Sequence, residues 1–287
     1  MADKQAGKCL ANIPQPAIIN LTLYFPNYAS LIVTFTSEQE FLSNYNKKDF
    51  DAPLFTVDMA IFSVDAGQLQ VLLIKRSNFP QKDKWALPGG FVDLSKDTDL
   101  MASAHRKLVE KTGLKSPHLE QVCTVGNATR DPRGWAVTSL YFALIDFKAF
   151  QRIATEQTEQ NKTEYSEWVS VTDAKQMDLA FDHLQLLDMA VERLSSKARY
   201  TALPVSLMPE LFTLTELQQI YEIILGQSLE KKSFRRRMIE AGAVEETDQS
   251  KIAGKRPAQL YKYAKDSFDF HFPRILEYPR DNTNKSE

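Results

Sequence analysis

The sequence predicts an α/β protein built in two parts, a mixed α/β domain followed by a small α+β domain of helices and a hairpin. Three observations carry that expectation. The chain has 287 residues, more than the ~100–200 of a single domain. Between residue 54 and about residue 200, apolar runs of strand length alternate with stretches of helical periodicity. Beyond residue 204 the pattern changes to two short helices followed by two strands.

The expected divisions are 1–36, 37–200 and 201–287. The first is an N-terminal extension, either an extra strand pair from the apolar runs 18–24 and 31–35 or a loosely held segment. Residues 37–45 then read as a short helix, with Ser37 and Glu40 at capping-box spacing. Runs 55–63 and 70–75 read as strands around a turn at Asp65, Ala66 and Gly67. A helix over 98–111 puts Leu100, Ala104 and Leu108 on one face, and Gly113 stops it. Strands follow at 121–127 and 135–146. A helix over 182–199 presents Leu184, Leu187, Val191 and Leu194 as its buried stripe. Residues 201–204 read as a linker. Thr213 and Glu216 form a second capping box, opening a helix to Leu225 that Gly226 ends. Another helix spans 230–241, and strands at 243–247 and 260–264 flank a polar loop over 248–259. That outline is a winged helix-turn-helix.

Composition excludes several classes. Lys and Arg number 35 against 37 Asp and Glu, a net charge of -2 that selects no partner. With 43% hydrophobic and 25% charged residues, global disorder is excluded. Two cysteines, Cys9 and Cys123, allow neither a disulfide framework nor a four-cysteine zinc site. The four histidines are scattered and show no H-x-x-x-H pairing. No apolar run approaches a membrane span and no signal peptide is visible. The expected setting is cytoplasmic.

The segment from Trp85 to Asp93, followed by that from Arg106 to Leu114, resembles the Nudix signature G-x5-E-x7-R-E-U-x-E-E-x-G-U, with U aliphatic. Gly90, Arg106, Leu108, Glu110, Gly113 and Leu114 match it. The resemblance covers residues 54–200 and implies a Nudix α/β/α sandwich. Two features depart from it. Arg106 lies 16 residues after Gly90 instead of 14, and Thr98 stands where the first Glu belongs. Nudix hydrolases hold Mg²⁺ with three helix carboxylates while water attacks a diphosphate. Spacings of i, i+3 and i+4 bring those carboxylates to one face. The corresponding residues are Lys107, Glu110 and Lys111, so two of the three positions carry ammonium groups that repel a divalent cation. The expectation is therefore no metal, no catalytic residue and no enzyme, with Asp93, Asp97 and Asp99 as the local carboxylates left for any residual hydrolysis. Lys107 and Lys111 either sit solvated on the helix or help attract a ligand's diphosphate.

A ligand pocket can outlast catalysis. Arg130 and Arg133 flank Asp131 and Pro132 in a turn between two strands, and two guanidiniums suit bidentate phosphate recognition. They can equally pair with local acids such as Asp131. Trp85 precedes the Gly89 and Gly90 turn and either stacks a base or belongs to the core. Arg76 ends a strand leading into the same loop. The expected effector set is Arg76, Trp85, Gly89, Gly90, Lys107, Glu110, Lys111, Arg130 and Arg133.

In the C-terminal part, Lys231, Lys232, Ser233, Phe234, Arg235, Arg236 and Arg237 form an acid-free run opening a helix. Phe234, Met238 and Ile239 are its expected buried side, with Lys231, Lys232, Arg235 and Arg236 outward. Such a helix after a short turn fits the major groove of DNA. Lys251, Gly254, Lys255, Arg256 and Pro257 shape a basic wing able to reach phosphates or the minor groove. The expected DNA-contacting set is Lys231, Lys232, Ser233, Arg235, Arg236, Arg237, Lys255 and Arg256.

A degenerate Nudix domain joined to the run Phe212 to Leu217, Tyr221, Glu222, Phe234, Arg235 and Arg236 resembles the Nudix-related transcriptional regulators of NAD metabolism, over about residues 37–265. The resemblance implies a homodimeric bacterial repressor on palindromic double-stranded operators of NAD biosynthesis or recycling genes. It also implies that ADP-ribose or a related nucleotide binds the Nudix domain and releases DNA, with no required cofactor and no membrane partner. The competing reading is a Nudix hydrolase, an ADP-ribose pyrophosphatase with an accessory dimerisation domain. Mg²⁺-dependent AMP release favours the hydrolase, and salt-sensitive duplex binding favours the repressor.

Overall fold

A computed structural model describes residues 37–113, 116, 118–156, 165–253, 256–264 and 270–272. The apolar runs at 18–24 and 31–35 lie outside the described residues, as do Gly254 and Lys255. The chain divides into two units, residues 1–52 and 53–287. In the first, α1 (Glu38–Asn44) begins where its cap places it, with Ser37 Oγ accepting the Glu40 N–H at 3.1 Å.

The second unit is organised by a seven-stranded mixed sheet. Strands β1 (Leu54–Asp65) and β2 (Gln68–Lys75) form an antiparallel hairpin. Positive φ at Ala66 (47°) and Gly67 (76°) lets the chain reverse in two residues. Strand β3 (Trp85–Ala86) pairs with β2, and β4 (Gly89–Phe91) pairs with β1. After α2 (Leu100–Thr112), β5 (Leu119–Asn127) and β6 (Ala136–Leu144) complete the order β3-β2-β1-β6-β5, with β6 parallel to β1. Then α3 (Phe147–Glu156), β7 (Ser166–Ser170) against β2, and α4 (Val171–Ala174) lead to α5 (His183–Tyr200).

Helices cover both sheet faces, which is why β1 buries a continuous run instead of alternating positions. Ala104 and Leu108 of α2 pack with Val57, Met59, Ile61 and Leu72 on one face. Leu186, Leu187, Ala190 and Leu194 of α5 pack with Ala60, Phe62, Leu73 and Phe142 on the other. Helices α2 and α5 each depart from expectation. Helix α2 starts at Leu100, not Thr98, because Asp99 Oδ1 caps the Ala102 N–H at 2.8 Å. The α5 stripe uses Leu186, Ala190 and Ala198 and leaves Leu184 36% exposed. Alanines let a helix approach a sheet closely, and a reading weighted to large aliphatics overlooks them.

Residues 201–204 are not an exposed linker. Thr201, Ala202, Leu203 and Pro204 are buried, and a 3₁₀ turn, Leu203–Leu207, continues the α5 core directly into the C-terminal domain. There α6 (Leu214–Leu225) opens with a reciprocal capping box, Thr213 N–H to Glu216 Oε2 at 2.8 Å and Glu216 N–H to Thr213 Oγ1 at 3.2 Å. Helix α7 (Lys231–Glu240) follows. Strands β8 (Val244–Ala253) and β9 (Arg256–Tyr263) pair antiparallel. The segment 248–259, expected as a polar loop, is therefore mostly hairpin. A ribbon of largely exposed residues needs no apolar alternation, so the strands leave little signal. Among the described residues, no helix is long and apolar enough to cross a membrane.

Candidate functional site

A cavity of about 290 Å³ opens beside β1 and β4. Its walls include Thr56 and Asp58 of β1, Gly89 and Gly90 of β4, Arg76, Arg130, Arg133 and His183, with the rings of Phe79, Phe91 and Phe181. Gly89 faces Asp58 across the β1–β4 pairing. A Cβ at Gly89 would lie 2.1 Å from Asp58 Oδ1 and 2.6 Å from the Val57 carbonyl oxygen, so only glycine fits that approach.

Both arginines of the 130–133 turn are paired. Arg133 donates to Asp131 at 3.0 and 2.7 Å, holding that carboxyl below its ordinary range, and lies 5.1 Å over the Phe91 ring. Arg130, with a side chain only 6% exposed, donates from Nε and Nη2 to Asp182 at 2.9 Å each. Its Nη2 also stands 3.9 Å from Asp58 Oδ2. Asp58 is itself fixed by the Thr138 hydroxyl at 2.7 Å. Arg76 serves the loop that follows it. Its Nε and Nη2 donate to the Pro80 carbonyl at 3.1 and 2.9 Å, and its guanidinium covers the Phe181 ring at 4.7 Å. That loop presents Phe79, which is 82% exposed at the cavity rim.

Trp85 does not line the cavity. It is half-buried against the main core, 5.7 Å from the Tyr165 ring. The aromatic surfaces at the cavity are Phe79, Phe91 and Phe181. His183 is buried in the cavity wall, its Nδ1 accepts the Leu87 N–H at 2.9 Å, and burial pushes its imidazole pKa down, so it stays neutral.

Lys107, Glu110 and Lys111 lie on α2 and do not line the cavity, though the methylenes of Lys107 cover Gly90, which does. Glu110 accepts from Lys107 Nζ and Arg106 Nη1, both at 3.0 Å. Those two cations outweigh its partial burial and hold its carboxyl below the ordinary range. The aspartates nearby are also committed. Asp97, 1% exposed, receives Arg106 at 2.7 and 2.6 Å, the Ser103 hydroxyl and the Asp93 N–H. Asp99 caps α2. Asp93 holds Ser95 and Lys96, which lower its pKa to about 2. The residues present do not fit a three-carboxylate magnesium site. Among the described residues no three His, Cys, Asp or Glu side chains are gathered to hold a metal.

In the C-terminal domain, Glu230 caps α7 by accepting the Lys232 and Ser233 N–H groups at 2.9 and 2.6 Å. Phe234 and Met238 are buried, and Lys231, Lys232, Arg235 and Arg236 are exposed, as expected. Ile239 is not on the buried side. It stands roughly 140° around the helix from Phe234, at about 100° per residue, and is 53% exposed. Arg237 lies toward the core, 5.6 Å over the Phe272 ring, while Ser233 is half-buried. Lys251 of the hairpin is bound to Glu216 of the α6 cap at 2.6 Å. Arg256 opens β9.

The NUDIX domain family is matched over residues 54–189 and the NrtR DNA-binding winged helix domain over residues 204–263. The chain is 68% identical over 251 residues to the ADPR responsive transcriptional repressor NtrR of Acinetobacter baylyi, covering 88% of this chain and 98% of that protein. The chain belongs to the NrtR family of Nudix-related transcriptional regulators. The NrtR architecture, a Nudix sandwich followed by a winged helix domain, recurs in the crystal structure of Shewanella oneidensis NrtR complexed with a 27mer DNA. That structure is 43% identical with a TM-score of 0.72, over 78% of this chain and 99% of that one. A MutT/nudix family protein from Enterococcus faecalis is 25% identical with a TM-score of 0.60, over 79% of this chain and 94% of its own.

Proposed function

We propose that this chain is a DNA-binding repressor of NAD biosynthesis or recycling genes, whose Nudix domain binds ADP-ribose or a related nucleotide and thereby releases DNA. The observation that carries this reading is one continuous hydrophobic core joining an arginine-walled cavity to a cationic helix. The near-full-length identity to an ADP-ribose responsive repressor supports it.

Residues 37–200 form the effector domain and 201–287 the DNA-binding domain in this reading. A diphosphate has Arg130 and Arg133 as its partners, in the wall that Gly89 and Gly90 complete. Lys107 and Lys111 add positive potential beside it, and Glu110 restrains Lys107. Arg76 acts indirectly, by ordering the loop that carries Phe79, and Trp85 supports the wall from behind. Phe79, Phe91 and Phe181 offer ring faces to a nucleobase. The chain binds without cleaving, because the helix face that holds magnesium in hydrolases carries two lysines here.

On the DNA side, Lys231, Lys232, Ser233, Arg235 and Arg236 face the duplex with Lys255 and Arg256 of the wing, while Arg237 braces the helix. Two copies of the chain bind the two halves of a palindrome in the cytoplasm. The deciding experiment is a gel shift of purified protein on DNA from upstream of NAD biosynthesis genes, with and without ADP-ribose. Retarded DNA that ADP-ribose frees is the expected result, and absence of any shift at low salt refutes the reading.

A further inference from the structure

Two aliphatic side chains of the C-terminal domain are strongly exposed among the described residues, Ile239 at 53% and Ile252 at 85%. Ile252 sits on the hairpin opposite Pro257. Ile239 occupies a more telling position. It lies one turn beyond Arg235 and Arg236 and two beyond Lys232, all exposed, and is turned roughly 140° from Phe234 and about 100° from Met238. Exposure forgoes what an aliphatic side chain gains by burial. The helix has no internal need of it, since Phe234 and Met238 already seal the core.

The surroundings define what can cover Ile239. The acid on this part of the helix is Glu240, 3.9 Å from Arg236. Lys232, Arg235 and Arg236 leave the stripe net positive, which repels a second copy of the same helix and suits the phosphates bordering a groove. Cations that contact phosphate carry no sequence information. The one apolar feature on base edges in the major groove is the 5-methyl of thymine.

We propose that Ile239 is a specificity-determining residue that packs on the 5-methyl of one thymine in each half-site. The inference rests on the DNA-binding function proposed above. It separates two roles on α7, with Lys232, Arg235 and Arg236 supplying charge and Ile239 supplying a preference at one base pair.

The test begins with selection from random-sequence duplexes by the full-length protein and by Ile239→Ala. Thymines of the selected duplex are then replaced one at a time by deoxyuridine, which removes the methyl and keeps the base pair. Binding is followed by fluorescence anisotropy. At one thymine per half-site, deoxyuridine should weaken wild-type binding about fourfold, the equivalent of ~0.8 kcal/mol for one buried methyl. Ile239→Ala should bind thymine and deoxyuridine equally at that position, and Ile239→Val should keep part of the preference. Wild-type indifference to deoxyuridine at every position overturns the proposal, as does an undiminished thymine preference in Ile239→Ala. If no duplex is enriched by either protein, the DNA-binding reading itself has failed.

Discussion

Arg130 and Asp182 meet through two N–H···O contacts of 2.9 Å, and this pair ties the cavity wall to the residue that precedes α5. Because Arg130 occupies the Asp182 carboxylate, that side chain makes no capping hydrogen bond to the helix it leads. The 18 residues of α5 reach roughly 27 Å at 1.5 Å per residue. At the far end, the Tyr200 carbonyl accepts the Phe272 N–H at 2.8 Å and the Thr201 carbonyl accepts the Tyr221 hydroxyl at 2.9 Å. The Tyr221 ring packs edge-on against Phe234 of α7, 5.1 Å between centroids. A packed helix therefore runs from the cavity to the support of α7, where residues 201–204 alone would suggest a hinge.

In the proposed reading a diphosphate would take Arg130 from Asp182, so effector binding and the position of α5 would compete for one guanidinium. ADP-ribose titrated calorimetrically into free and operator-bound wild type should differ in affinity about 5–150-fold, the usual range of allosteric coupling. Operator affinity should change by the same factor on adding ADP-ribose. Asp182→Asn should retain both binding events and bring the factor toward one. A wild-type factor persisting in Asp182→Asn, in protein that melts normally, takes the pair out of the coupling.

Charge removed from α7 should register in salt dependence before anything else. Arg235→Ala with Arg236→Ala should weaken operator binding and reduce the slope of log K against log salt by about two, near 0.9 per phosphate contact. ADP-ribose binding should be unchanged, since both arginines are exposed on the other domain. An unaltered slope places the phosphate contacts elsewhere.

Acid should loosen the Nudix domain through Glu120. Despite half-burial that opposes ionisation, His118, Lys197 and Arg193 together lower its pKa to about 2 from the ordinary 4.5. A carboxyl depressed by folding stabilises the fold above its unfolded pKa and loses that contribution as pH falls through the folded one. Denaturant midpoints should therefore decline between about pH 4.5 and pH 2, and Glu120→Gln should start lower and decline less. Parallel profiles for the two proteins exclude Glu120 as a source of the acid sensitivity.

What could be read from sequence was local. The Thr213 and Glu216 box, the stops at Gly113 and Gly226 and the cationic face of α7 each depend on residues within one or two turns. The cavity depends on distant pairs. Asp182 lies 52 residues from Arg130, and His183 lies 96 from Leu87. Nothing near Arg130 in the chain identifies its partner, whereas Arg133 pairs two residues away with Asp131 and was legible as an alternative. For Trp85, which adjoins the glycine turn, sequence leaves stacking and core both open, and its packing on the core beside Tyr165 settles it as core. Phe79 reaches the rim only because Arg76 folds the following loop onto its own guanidinium, a contact no spacing rule anticipates. Ile239 reads as core because it is apolar and adjoins Met238, but one further residue of helical rotation carries it to the surface.

Hydrolysis is where the family resemblance and the geometry of this chain pull furthest apart. Nudix catalysis needs helix carboxylates free to hold magnesium, and here Glu110 is shared between Lys107 and Arg106. Asp97 is nearly sealed beneath Arg106, and Asp99 is engaged in capping α2. Releasing any of them would cost an ion pair or a helix cap. Protein incubated with ADP-ribose and Mg²⁺ should therefore form no AMP above background. Sustained release at an ordinary enzymatic ~1 s⁻¹ would reverse that conclusion. Lys107→Glu with Lys111→Glu tests the cause separately from the outcome. With like charges now beside Glu110, the helix should gain Mg²⁺ affinity, visible as a metal-dependent rise in melting temperature that wild type lacks. Turnover need not return, because the two extra residues between Gly90 and Arg106 shift the loop that would present the diphosphate. Magnesium stabilising wild type as strongly as the double variant would show that the lysines are not what excludes the metal.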